Sequence, residues 1–202
     1  VEHYRHFLSN GKTIEVFDQI FTSPERHNHI SIAQECSYTL GGSTNDIFEN
    51  KRNTFFQSCM ISDGGNYITD DFERMNFLTS KSFDPIRKYI SGYYPDRSWM
   101  LSSSPLSKYS YHCDSNAEGE EKTLLYYVNY TWDKNWGGET LFENDQGECE
   151  IAINYKPGRI VIFDGSISHR PASISVSAEE FRFTFVIQFL KKSECNIDNI
   201  EV

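Results

Sequence analysis

Long apolar runs are missing from this 202-residue sequence; none approaches the roughly 20 residues that a helical membrane span requires. The start, Val1-Glu2-His3-Tyr4-Arg5, lacks the apolar stretch of a secretory signal. The five cysteines, Cys36, Cys59, Cys113, Cys149 and Cys195, show no C-x-x-C spacing, which argues against a zinc knuckle or a disulfide scaffold, and their odd number suits a reducing compartment. Basic residues are in the minority: 19 Lys and Arg stand against 29 Asp and Glu, a net charge of -10. Binding to phosphate is driven by clustered Lys and Arg, so nucleic acid is a poor main partner. These absences predict a soluble intracellular, cytoplasmic protein that engages neither membrane nor nucleic acid. Internal repeats and low-complexity linkers are absent too, so one domain is expected over 1–202.

What is plentiful is aromatic: 15 Phe and 12 Tyr, a core that relies on rings. After a polar start, Thr13 to Phe21 reads as a strand leading to a helix opened by Ser23-Pro24-Glu25, with Ser23 as cap, and ending near Glu35. A strand over Ser37 to Leu40, a surface loop over Ser43 to Asn53 and a strand over Phe55 to Ile61 follow, the last closed by Asp63-Gly64-Gly65. A helical stretch is expected from Asp70 to Tyr89, broken or restarted at Pro85. From Ser98 the pattern becomes short, alternating, aromatic-rich segments: Trp99 to Ser103, Lys108 to Asp114, Thr123 to Tyr130, Thr140 to Phe142, Glu150 to Asn154, Arg159 to Phe163 and Phe181 to Leu190. Strands at this spacing predict a mainly β, α+β fold: a jelly-roll core over 98–190 backed by helices and strands of 1–97, with a tail over 191–202.

In an extended Tyr109-Ser110-Tyr111-His112-Cys113-Asp114 segment, His112 and Asp114 share a face and Cys113 takes the other, as a small buried residue. His169 lies just beyond the apolar strand ending at Phe163 and can equally be a surface residue; facing the His112 strand, it would complete a site of two His and one carboxylate. That ligand set leaves positions open, as in non-haem Fe(II) oxygenases. His3, His6, His27 and His29 are read as surface residues. In the last strand, Phe181, Phe183, Phe185, Ile187 and Phe189 share one face, expected beneath the helices, while Arg182, Thr184, Val186 and Gln188 share the other. An Arg buried there needs an anionic partner, and its planar fork suits a carboxylate, with Thr184 as a nearby hydroxyl donor. Gly137 and Gly138 are read as a turn, Tyr126 and Trp132 as core aromatics, and Glu118, Glu120 and Glu121 as a solvated loop.

From about Lys108 to Phe189 the sequence resembles the catalytic domain of 2-oxoglutarate- and Fe(II)-dependent oxygenases, in particular the prolyl 4-hydroxylase-like branch. The matching pieces, in order, are Tyr109 to Asp114, Tyr127-Val128-Asn129 with Trp132, Gly137 to Phe142, Lys156-Pro157-Gly158-Arg159, His169 and Arg182-Phe183-Thr184. The resemblance implies a double-stranded β-helix in which His112, Asp114 and His169 bind Fe(II). It also implies that Arg182 holds the distal carboxylate of 2-oxoglutarate, helped by Thr184 and the Tyr127 hydroxyl, with Tyr109 facing co-substrate or substrate. Strand parity sets Tyr109 opposite His112, so that role requires a bend. The implied activity is hydroxylation of an unactivated C–H by O2, coupled to decarboxylation of 2-oxoglutarate to succinate, with ascorbate admitted as a reductant. The substrate would be a peptide or protein, at proline; a free amino acid or other small molecule is the alternative, and a non-catalytic metal-binding jelly roll a second one. Many collagen-type relatives anchor with Lys soon after the distal His, whereas here the anchor is Arg182 after a long gap, which leaves the substrate class open; the sequence does not reveal the oligomeric state.

Overall fold

The computed structural model describes residues 1–41 and 55–192. The loop expected over Ser43 to Asn53 and the end of the tail lie outside the described residues. The strands are β1 (Glu2–Phe7), β2 (Thr13–Asp18), β3 (Thr39–Gly41), β4 (Phe55–Ser62), β5 (Tyr67–Ile68), β6 (Tyr93–Ser103), β7 (Glu121–Tyr127), β8 (Thr140–Glu143), β9 (Cys149–Ile153), β10 (Ile160–Asp164), β11 (His169–Pro171) and β12 (Arg182–Lys191), and the helices are α1 (Ser23–Glu35), α2 (Asp70–Met75) and α3 (Asp84–Arg87).

Among the described residues the strands form two antiparallel sheets. The larger runs β1-β2-β10-β7-β12-β6-β4-β3, with β5 beside β4, and the smaller runs β11-β8-β9. Alternation in the strands explains the layering. In β12, Phe183, Phe185, Ile187 and Phe189 pack with Ile32 and Ala33 of α1, Met75 of α2, and Phe77, Phe83 and Ile86. Val186, on the opposite parity, packs between the sheets with Leu125, Tyr127, Phe142, Ile153, Tyr155, Val161 and Phe163. The jelly roll backed by N-terminal helices is therefore present, and its inner face is the one that carries Arg182 and Thr184.

Several local expectations are corrected. The polar start is a strand, β1, whose side chains are all exposed; its backbone pairs with β2, so it needs no apolar pattern. The cap of α1 is Thr22, not Ser23: the Thr22 Oγ1 accepts from the Glu25 N–H and the Glu25 carboxylate accepts from the Thr22 N–H, a reciprocal box that demands the three-residue spacing to Glu25. Burial pushes Glu25 up, but hydrogen bonds from Ser80, Thr22 and Ser82 outweigh it and bring it to about 2. The stretch from Asp70 to Tyr89 is not one helix broken at Pro85. It stops at Asn76, whose left-handed backbone (φ 49°) ends α2, and Pro85 lies in the first turn of the short α3. Lys108 to Asp114 is extended but not a regular strand: His112 makes an isolated bridge to His169. A strand missed in the sequence, β11, starts at His169.

His29 is buried in α1, 1% exposed, not on the surface. Its Nε2 donates to the Met75 carbonyl and its Nδ1 accepts from the Tyr126 hydroxyl, each at 3.1 Å. Burial lowers its pKa from 6.5 to about 4 despite the Met75 bond. Because the folded imidazole resists a proton that the unfolded chain accepts, its contribution is complete above pH 6.5 and is lost as pH falls toward 4, about 3 kcal/mol in all. Urea unfolding of His29→Gln should show about one proton less dependence across that window than the parent; equal slopes would reject the assignment.

Candidate active site

The site is built where the 109–114 segment crosses the mouth of the two sheets. His112 and His169 exchange backbone hydrogen bonds, N–H to carbonyl, at 3.1 and 2.9 Å. The Asp114 N–H donates to the Gly165 carbonyl at 2.8 Å, which fixes the third residue of the group to the turn after β10. The Nε2 atoms of His112 and His169 lie 3.8 and 3.7 Å from the Asp114 carboxylate, and one ligand atom from each of the three residues falls within 4.8 Å of the others.

Both imidazoles are oriented alike. Nδ1 of His112 faces the Ser110 carbonyl and Nδ1 of His169 the Ile167 carbonyl, each at 3.0 Å. A carbonyl can only accept, so each Nδ1 carries the proton and each Nε2 presents its lone pair to the space they share. The Asp114 carboxylate accepts a hydrogen bond from the Thr123 hydroxyl. His169 is buried, and that burial pushes its pKa down, which keeps the ring neutral and able to ligate. His112 is exposed, so the group opens to solvent on its side.

Arg182 enters the same barrel from β12. It is 2% exposed, and no carboxylate among the described residues comes within ion-pair distance of it. Its Nε donates to the Gly138 carbonyl at 3.0 Å, and the guanidinium lies 4.8 Å from the Tyr155 ring centre and 5.4 Å from that of Tyr127. Gly138 is therefore more than a turn residue. Its φ is 83°, and a Cβ there would stand 3.1 Å from the Arg182 Cδ, so only glycine allows this approach without displacement. Thr184, one inward position further along β12, has a buried Oγ1 with no hydrogen-bond partner among the described residues. The Tyr127 hydroxyl is paired with Thr140 Oγ1 at 2.7 Å.

The parity objection to Tyr109 dissolves because its segment is not a strand, and two-residue alternation does not apply. Its hydroxyl bonds to Ser103, the register partner of Arg182, and its ring stacks on Phe55 at 5.3 Å. Burial raises the Tyr109 pKa, and the positive charge of Arg182 acts against that rise. Cys113, by contrast, is exposed rather than buried, because its side chain points away from the group His112 and Asp114 form.

Further residues complete the surroundings, of which Tyr155 and Thr123 carried no signal of a role in the sequence. The Tyr155 hydroxyl donates to the Phe183 carbonyl at 2.6 Å and contacts Asn129 Oδ1, which accepts from the Phe183 N–H at 2.8 Å; this pins the start of β12. Thr123 and Gln188 face the interior beside Asp114. For Gln188, parity within β12 was the available signal. Tyr126 and Trp132 are packed as expected, whereas Glu121 opens β7 and takes a hydrogen bond from Arg97 instead of lying in a solvated loop.

Two His and one Asp at the mouth of a two-sheet β-helix form the ligand set that non-haem Fe(II) oxygenases use. Residues 99–188 match the family model of the 2OG-Fe(II) oxygenase superfamily. Among solved structures, a prolyl hydroxylase from Trichoplax adhaerens in complex with a hypoxia inducible factor peptide fragment is 14% identical, with a TM-score of 0.67 over 88% of this chain and 83% of that one. A prolyl-4-hydroxylase from Pseudomonas putida is 14% identical, with a TM-score of 0.64 over 89% and 92%. The non-heme alpha ketoglutarate dependent epimerase SnoN from nogalamycin biosynthesis is 12% identical, with a TM-score of 0.64 over 88% and 77%. No curated protein matches by sequence. The family implies Fe(II), 2-oxoglutarate and O2, and the neutral imidazole and carboxylate donors at His112, Asp114 and His169 fit such a metal. No helix of the described residues is long and apolar enough to cross a membrane.

Proposed function

We propose that the chain hydroxylates an unactivated C–H of a prolyl residue in a peptide or protein, working as one catalytic unit over its jelly roll and supporting helices. The observation that carries this reading is the pairing of a His-Asp-His group with a buried, carboxylate-free Arg182 and an unpartnered Thr184 hydroxyl. His112, Asp114 and His169 would hold Fe(II), which when bound with 2-oxoglutarate supplies O2 activation. The Arg182 guanidinium would donate through its fork to the distal carboxylate of 2-oxoglutarate, and the Thr184 hydroxyl would donate to the same group. The stacked pair of Tyr127 and Tyr155 lies against the guanidinium, Gly138 steadies Nε, and the apolar shell of Phe142, Phe163 and Val186 excludes water. Tyr109, beside Ser103, would face the co-substrate from the other wall.

Likeness to two prolyl hydroxylases favours the prolyl substrate. SnoN, an epimerase of nogalamycin biosynthesis with the same TM-score as the Pseudomonas putida enzyme, favours keeping the second reading, a small-molecule substrate. The test is succinate formation from 2-oxoglutarate by the Fe(II)-loaded protein, followed by mass spectrometry of a proline-containing peptide library and a panel of free amino acids. A mass gain of about 16 Da, one oxygen atom, confined to peptides supports the prolyl reading; a gain confined to free amino acids rejects it.

A further inference from the structure

Gln188 is the inner-face residue of β12 nearest to Asp114 in the sheet register. It sits opposite Thr123, whose hydroxyl donates to the Asp114 carboxylate, and opposite Arg97 on the other side. It shares its parity with Arg182, Thr184 and Val186, so all four side chains rise from the same side of the strand. Gln188 is 7% exposed, and its Oε1 is buried without a hydrogen-bond partner. A buried carboxamide is normally bonded, and one left unpaired inside a site is suited to a ligand.

The charge around it narrows the ligand. The neighbouring Arg97 is already taken by Asp96 at 3.0 Å and Glu121 at 3.4 Å, so it offers no free positive charge to the carboxylate of a free amino acid. A neutral carboxamide offers one acceptor and one donor side by side. One residue of an extended peptide presents its N–H and C=O to the same side, as in the hydrogen-bonded pairs of antiparallel sheets. Trp99 and Leu101 continue the inner face on β6, across from Val186 and Thr184, and supply apolar contact for the side chains of such a peptide.

We propose that Gln188 is a substrate-positioning residue whose carboxamide takes the backbone N–H and C=O of one residue of an extended peptide substrate, beside the metal ligands. This rests on the oxygenase-site reading above, and it assigns the substrate class to peptides.

The test uses the whole chain loaded with Mn(II) and 2-oxoglutarate, as parent and as Gln188→Leu. The probes are N-acetylated, C-amidated tripeptides centred on proline, and the same tripeptides with one backbone amide replaced by an ester. By calorimetry, the best amide tripeptide should bind the parent at least tenfold more tightly than Gln188→Leu. The parent should also prefer one amide over its ester, and the variant should lose that preference, a change that a merely structural role does not produce. In the metal-free protein the Tm of Gln188→Leu should equal or exceed that of the parent, because an unpaired buried polar group is removed. Equal tripeptide binding by both proteins, an amide preference that persists in the variant, no tripeptide binding to the parent, or a lowered Tm in the variant each overturns the assignment. Binding of 2-oxoglutarate to the parent separates the two levels: its failure rejects the site reading itself, whereas its success with indifferent tripeptide binding rejects only the role of Gln188.

Discussion

Arg182→Leu is expected to raise the KM for 2-oxoglutarate by a hundredfold to a few thousandfold. The reason is the burial of Arg182 without a carboxylate of its own. Removing one partner of a buried, hydrogen-bonded charge pair costs roughly 3–5 kcal/mol, and each 1.4 kcal/mol is a factor of ten. The same substitution should leave the Tm of the metal-free protein unchanged or higher, since it removes a buried charge that the protein alone does not neutralise. Arg182→Lys keeps the charge but loses the fork and the Nε bond to the Gly138 carbonyl, so it should fall between the two. Succinate assays across a 2-oxoglutarate series decide the matter: an unchanged KM in Arg182→Leu would falsify the anchor assignment.

Asp114→Ala, His112→Ala and His169→Ala are each expected to reduce succinate formation by more than about 10³-fold, as the loss of a metal that catalysis needs would produce. Of the three, Asp114→Ala should bind metal least. It removes the only carboxylate of the group and leaves two neutral imidazoles, with the Thr123 hydroxyl deprived of its acceptor. Thermal unfolding gives a second readout, because a metal that binds only the folded state at about 100 times its Kd adds about 2.7 kcal/mol of stability. The parent should gain Tm on adding Mn(II) and Asp114→Ala should not. Retention of succinate formation in His112→Ala would remove the basis of the reading.

How much of this was legible in the sequence can be followed residue by residue. The phenylalanine parity of β12 showed which face meets the helices and which carries Arg182, because alternation is a local property of an extended chain. The same rule misled at Tyr109. Its segment is held by an isolated bridge between His112 and His169, and parity has no force where the strand is not regular. His29 read as a surface residue because its helix carries polar residues on several sides, and only the packing of Phe21, Phe77 and Tyr126 around it makes that position buried. Gly138 read as a turn because a glycine says that space is needed without saying what fills it. The occupant, Arg182, comes from a strand 44 residues away.

The sequence by itself determined the inward and outward sides of the last strand through short-range periodicity, and with the family resemblance it offered His112, Asp114 and His169 as metal-ligand candidates and Arg182 as the candidate anchor. Only the tertiary structure decided that His112, Asp114 and His169 meet within 4.8 Å and that, among the described residues, Arg182 has no carboxylate partner and Thr184 and Gln188 are buried with polar atoms unsatisfied. Those are properties of groups that adjacent strands and distant turns bring together, and no local pattern encodes whether a buried donor or acceptor has found its partner.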